Sequence, residues 1–229
     1  MTKIWIERIV VPLLFVVAAS ALSLYLLCMK SIKDESAQSS AIQIQESYLI
    51  SSYDAIFQEV GAAWGVDWLL LAAIARSESE FRYDAVSPSG AVGLMQIMPY
   101  VAANMGVERS ELFDPRRNVE IAAELLHSID DMLHLDEGFD ERERLCFTLA
   151  GYNAGYLRIA DARRLAKYYG DDDRKWSVVS TYLAMLCEEE YFELEVVRGG
   201  AFYGSDETIA YVSKVMHRLD CYRTDIIGL

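Results

Sequence analysis

Two carboxylates, Glu78 and Glu80, stand in the stretch Ser-Glu-Ser-Glu-Phe at residues 77–81. They directly follow the apolar run Trp-Leu-Leu-Leu-Ala-Ala-Ile-Ala at residues 68–75, with Arg76 between. A pair of glutamates suggests acid–base chemistry, but residues two apart on a helix point about 200° from each other and cannot share a face. Glu78 follows Leu71 and Ile74 at spacings of seven and four, which aligns it with the buried stripe. A carboxyl held on an apolar face loses hydration, its pKa rises, and it becomes a general acid that keeps its proton near neutrality. Periodicity alone leaves a second reading open, a surface glutamate at a fraying helix end. Glu80 falls on the opposite, wetter side.

Other chemistries find less support. His127, His134 and His217 form no ligand-spaced cluster, although 127 and 134 can share a helix face, so no metal site and no cofactor is expected. Cys146, Cys187 and Cys221 lie in apolar helical contexts without C-x-x-C pairing and are expected to be buried thiols. An oxidising compartment would permit one disulfide among them. The formal net charge of −14 argues against nucleic acid as a partner, because phosphate binding needs a basic face. Acidic runs at 171–173 and 188–190 read as solvated faces or loops.

The elements that must position Glu78 are helical. Leu49, Ile50, Tyr53, Ile56, Phe57, Val60 and Trp64 recur at spacings of three and four and predict one amphipathic helix. Gly65 ends it, and Asp67 is placed to cap a second helix from 68 to about 79. A turn-rich stretch follows, then a short apolar piece at 94–98 ended by Pro99. Further helices are predicted from 118 to about 135, 141 to about 152, 157–169, 176–187 and 207–221. No succession of alternating strands occurs, so the fold class is all-α, one domain over residues 47–229.

Ahead of it, residues 9–28 run uncharged for 20 residues, about 30 Å as a helix, the thickness of a bilayer's hydrocarbon core. Lys3 and Arg8 precede this span and Lys30 and Lys33 follow it. An uncleaved transmembrane anchor within 1–29 is expected. Cleavage after Ala19-Ser20-Ala21 would leave an apolar mature terminus. Residues 30–46 are polar and rich in Ser and Gln and read as a linker. Taken as a coil they reach only about 20–25 Å.

Four separated segments carry a resemblance. "ARSESEF" at 75–81, "AVSPSGAVGLMQIMP" at 85–99, "LAGYNAG" at 149–155 and "ETIAYVSKV" at 207–215 together resemble the lytic transglycosylases with a soluble-type catalytic domain. These enzymes cleave peptidoglycan on a lysozyme-like fold similar to goose lysozyme. The match covers roughly 48–222, and together with the membrane span it is most similar to the membrane-bound F-type branch. That branch usually carries a solute-binding-like domain ahead of the catalytic one, where this sequence has only the linker. The resemblance implies Glu78 as the single catalytic acid/base and Ser79 as a structural neighbour. It implies Ser87, Met95, Gln96, Tyr152, Asn153 and Glu207 as residues lining the saccharide groove, with Tyr211 one turn after Glu207 on the same face. Several have a plainer reading as packing residues, Met95 and Tyr211 above all. Gly151 stands where the family usually has Ala, and Tyr83 where Pro is common. The implied partners are peptidoglycan glycan strands and, through the N-terminal helix, a membrane, with the domain in the periplasm.

Two rivals remain at this level. A hydrolytic muramidase needs a second carboxylate, for which Asp84 or Glu207 would serve. A silent peptidoglycan-binding scaffold would have no use for an isolated buried acid.

Overall fold

The computed structural model describes residues 49–135 and 138–227, together with 29, 30 and 33. The expected membrane span at 9–28 lies outside the described residues. Among these residues no helix is long and apolar enough to cross a membrane. Met29, Lys30 and Lys33 are helical, so helical backbone enters the stretch read as a linker.

The chain from residue 50 onward forms one unit of helices. They are α1 (Asp54–Trp64), α2 (Trp68–Glu78), α3 (Pro99–Asn104), a 3-10 turn (Arg109–Phe113), α4 (Pro115–Met132), α5 (Glu141–Ala154), α6 (Tyr156–Tyr169), α7 (Trp176–Met185), α8 (Glu189–Phe192) and α9 (Ser205–Ile227). Among the described residues strand pairing is limited to isolated bridges, Val86 with Val92 and Val92 with Ile97.

At the centre lies α2. Every residue from Leu69 to Ala75 is buried, as expected of a helix apolar on all sides. Its N-terminus is capped by Asp67, whose side chain accepts the Leu69 N–H at 2.9 Å. The same carboxylate binds Arg223 of α9 at 2.8 Å. Helix α1 packs on one flank of α2 and α9 on another. Phe57, Leu71, Ile74, Leu94, Ile121, Phe147 and Leu149 fill the core between α1, α2, α4 and α5. Phe147 meets Trp176 edge-on at 5.8 Å and thereby seats α7.

Several boundaries differ from the sequence reading. Helix α4 begins at Pro115, three residues before Asn118, because Asp114 caps the Arg117 N–H at 2.8 Å and proline is favoured in the first turn. Pro99, read as a terminator, instead opens α3. The acidic run at 188–190 starts α8, with its carboxylates at the positive end of the helix. Cysteines 146, 187 and 221 are free thiols, and Cys221 is exposed rather than buried.

Candidate active site

Glu78 is the last residue of α2, and Ser79 is its C-terminal cap. The Ser79 hydroxyl is buried and lies 3.2 Å from the Ala75 carbonyl and 2.8 Å from the Leu94 carbonyl. A short polar side chain at the helix end therefore ties the following loop beneath the glutamate.

That loop, residues 80–98, is shaped by backbone that few residues adopt. Glu80, Phe81 and Gln96 have φ of 54°, 65° and 49°, and Gly93 has φ of 82°. A Cβ on Gly93 would lie 2.4 Å from Asn118 Nδ2, so only glycine fits. Asn118 is fully buried at the start of α4 and holds three loop groups at once. Its Oδ1 accepts the Met95 N–H at 2.7 Å, and its Nδ2 donates to the carbonyls of Val92 at 3.0 Å and Leu112 at 2.9 Å. Gln96 donates its amide N–H groups to the carbonyls of Ala85 at 3.2 Å and Gly93 at 2.9 Å. Both partners are acceptors, which fixes the amide's orientation and leaves its oxygen for the cleft. Ser87 closes the turn, with its Oγ accepting the Ala91 N–H at 3.0 Å and lying 2.9 Å from Ser89 Oγ. The Met95 side chain is wholly buried in the core, so this residue presents its backbone and not its thioether.

The C-terminal end of α5 supplies the second wall. The Tyr152 hydroxyl donates to the Met95 carbonyl at 2.7 Å. Burial first, and the charge of Glu78 second, push its pKa well above 10, so the phenol remains a donor. Asn153 is exposed, and its Oδ1 accepts a hydrogen bond from Thr208 Oγ1 of α9 at 2.8 Å.

Helix α9 makes the third wall through one stripe, Glu207, Tyr211, Lys214 and Arg218. Lys214 Nζ donates to the Ser77 carbonyl at 3.1 Å, and Arg218 Nη1 to Ser77 Oγ at 2.8 Å, so the stripe is locked to the last turn of α2. The Tyr211 hydroxyl is buried and faces the Glu78 carboxyl without closing a well-formed hydrogen bond.

These surroundings decide the state of Glu78. Burial raises its pKa from 4.5 to about 7; Tyr211 and the Lys214 charge pull it down, and Glu207 pushes it up. A carboxyl poised there can both give up and take back a proton near neutrality. Asp84 is exposed, and its charge bears on Tyr53.

Gln96, Tyr152 and Asn153 also line a cleft of about 580 Å³ that runs between α3, α4 and the start of α6. Tyr100 and Tyr156 stand exposed along it. Glu78 is not one of its walls; Tyr152, which feels the Glu78 charge, is the link between acid and cleft. Of the residues singled out from sequence, Glu78, Tyr152, Tyr211 and Glu207 are thus coupled electrostatically, Gln96 and Asn153 join Tyr152 in the cleft, Ser87 braces the loop, and Met95 belongs to the core. Lys214, Arg218 and Asn118 escaped the sequence reading. Lys214 and Arg218 continue the Glu207–Tyr211 face at helical spacing and could have been found that way. Nothing in the sequence marks Asn118.

Comparison with known proteins identifies the family of the chain. Residues 55–175 match the transglycosylase SLT domain. The membrane-bound lytic murein transglycosylase F of Pasteurella multocida is 35% identical over 156 residues, covering 66% of this chain and 31% of that protein. Its counterpart in Vibrio cholerae O1 is 35% identical over 173 residues, covering 76% of this chain and 30% of the other. The chain therefore spans about a third of the length of these relatives. Among solved structures, an inactive variant of lytic transglycosylase Slt from Pseudomonas aeruginosa superimposes with a TM-score of 0.53 at 22% identity, over 77% of this chain and 25% of that one. That likeness establishes a shared helical fold.

Proposed function

This chain belongs to the transglycosylase SLT domain family, and from that premise we propose that it is a peptidoglycan lytic transglycosylase using Glu78 as its only acid/base. The observation that carries the reading is a single carboxyl with a pKa of about 7, coupled through Tyr152 to a cleft of about 580 Å³.

The chemistry runs in two proton transfers. Glu78 gives its proton to the glycosidic oxygen between N-acetylmuramic acid and N-acetylglucosamine, and the bond to the anomeric carbon breaks. The resulting carboxylate takes the proton of the muramoyl 6-hydroxyl, whose oxygen closes onto the anomeric carbon. The product is a 1,6-anhydromuramoyl end, and Glu78 is protonated again. Cyclisation within the sugar outcompetes water because the attacking oxygen is already held at the reacting centre. Positive charge developing on the ring is met by fixed dipoles, with the Gln96 amide oxygen, Tyr152 and Asn153 in position to supply them.

Water attack would instead require a second carboxylate. Glu207 is near enough to raise the pKa of Glu78, but it is exposed in the first turn of α9. Digestion of purified peptidoglycan in heavy-oxygen water separates the routes. Anhydromuramoyl ends without solvent oxygen support the proposal, and labelled reducing ends would show a hydrolase acting through Glu207. The relatives are named membrane-bound, which supports an enzyme of the cell envelope; the uncharged length of residues 9–28 supports that stretch as its anchor, with the catalytic unit on the periplasmic side.

A further inference from the structure

Beyond Tyr156 the cleft does not close. Met132, Tyr156 and Leu157 are shared with a second hollow of about 380 Å³ on α6. Its far wall is cationic, formed by Arg163, Arg164, Lys167 and Arg198. Two of these charges are already neutralised. Arg163 pairs with Asp173 at 3.0 Å, and Arg164 pairs with Asp161. Lys167 and Arg198 are exposed and have no ion-pair partner among the described residues. Two uncompensated cations on one hollow are conspicuous in a chain of net charge −14.

The mounting of Arg198 is built rather than incidental. Asp161 is fully buried and accepts the N–H groups of Arg198 and Gly199, each at 2.8 Å. Arg164 Nε donates to the Val196 carbonyl at 2.9 Å, and Arg158 Nη1 to the Gly200 carbonyl at 2.9 Å. A Cβ on Gly199 would lie 2.7 Å from both Arg158 and Asp161, so the segment is seated tightly on α6. The backbone that carries Arg198 is therefore held by four hydrogen bonds at the edge of the hollow.

Resting on the reading of the cleft as a glycan site, we propose that Lys167 and Arg198 bind carboxylates of the peptide stem borne by a muramoyl residue seated in the cleft. The glycan itself is uncharged along its sugars, so its ionised groups are those of the stem. A guanidinium and an ammonium at the end of a partly aromatic cleft that has no carboxylate in its lining complement a neutral chain bearing an anionic branch.

The test uses the full chain and the double variant Lys167→Met/Arg198→Gln, assayed on stem-bearing strands and on strands stripped of peptide by an amidase. The double variant should raise KM for stem-bearing strands about tenfold with kcat unchanged, within the range of two exposed ion pairs. The difference should vanish on stripped strands and fade in molar salt, where the screening length falls to about 3 Å. Equal effects on both substrates, or none on either, would overturn the assignment. So would a variant that loses association with anionic lipid vesicles while its KM is unchanged, since the hollow would then face a lipid surface. Failure of the wild-type chain to cleave either substrate would strike the underlying reading alone. Calorimetry with an N-acetylmuramoyl dipeptide then reads the hollow directly, and equal affinity of wild type and double variant would sink it.

Discussion

At the scale of single residues, Glu78 gains its reactivity at a cost to stability. Its pKa is near 4.5 unfolded and about 7 folded. Between these values the folded state holds a proton that the unfolded chain has lost, so stability falls as pH rises from about 4.5 to 7 and is flat above. The shift corresponds to roughly 3 kcal/mol. Glu78→Gln, which cannot ionise, should unfold at the same denaturant midpoint as wild type at pH 4 and at a higher one at pH 8. Equal midpoints at both pH values would show that the carboxyl is not desolvated. The same substitution should lower the cleavage rate at least ~100-fold, the low end for a positioned acid/base. Tyr211→Phe makes a finer test. Its buried hydroxyl lowers the Glu78 pKa yet forms no complete hydrogen bond. Removing it should shift the alkaline limb of the pH–rate profile upward with little change in melting temperature. A limb that stays put would mean that Tyr211 only packs. The burial of Glu78 was only partly legible: Leu71 and Ile74 align it with the apolar stripe, but its place at the helix end fits a surface glutamate as well. Its modulators were less so: Lys214 acts across 137 residues of chain, through Ser77.

At the scale of elements, the site depends on how the loop at 80–98 is pinned between α2 and α4. Local signals revealed its glycines and its turn, but Asn118, the residue that fixes it, is ordinary in sequence and special only through long-range contacts. Asn118→Ala would leave the Met95 N–H and the Leu112 carbonyl without the partner they have in the core, and the Val92 carbonyl with only the Ile97 N–H at 3.0 Å. The expected loss is about 2–4 kcal/mol. Hydrogen exchange should accelerate at residues 92–97 before the rest of the core, and uniform acceleration would deny the loop its dependence on this side chain. Gly151, where the resemblance leads one to expect alanine, has a reason in packing. A Cβ there would lie 2.6 Å from Ile129 Cγ2, so α4 approaches α5 more closely than alanine permits. Gly151→Ala should be destabilising alone and largely tolerated when combined with Ile129→Ala, as a denaturation series would show. The long helices were legible from apolar periodicity, and α2 from its cap as well. The short ones, α3, the 3-10 turn and α8, were not, because one or two turns carry too little periodic signal to outweigh a proline or an acidic run.

At the scale of the whole molecule, the catalytic unit and the N-terminal segment make different demands on their surroundings. The chain carries a formal net charge of −14, and the hollow on α6 is a cationic exception within the unit. The uncharged stretch at 9–28 matches a bilayer in length, and the 30–46 stretch reaches only about 20–25 Å as a coil. With 9–28 in a membrane, as proposed, a unit on so short a tether would reach glycan only in the layer next to it. The full chain should accordingly remain in the membrane fraction after an alkaline carbonate wash, which strips proteins held by charge alone. Protease added to the periplasmic side of intact spheroplasts should release a fragment that begins within residues 30–46 and still cleaves peptidoglycan. Recovery of a soluble chain whose N-terminus lies near Leu22 would show that the segment is a cleaved signal, and would free the enzyme to work at any depth of the wall.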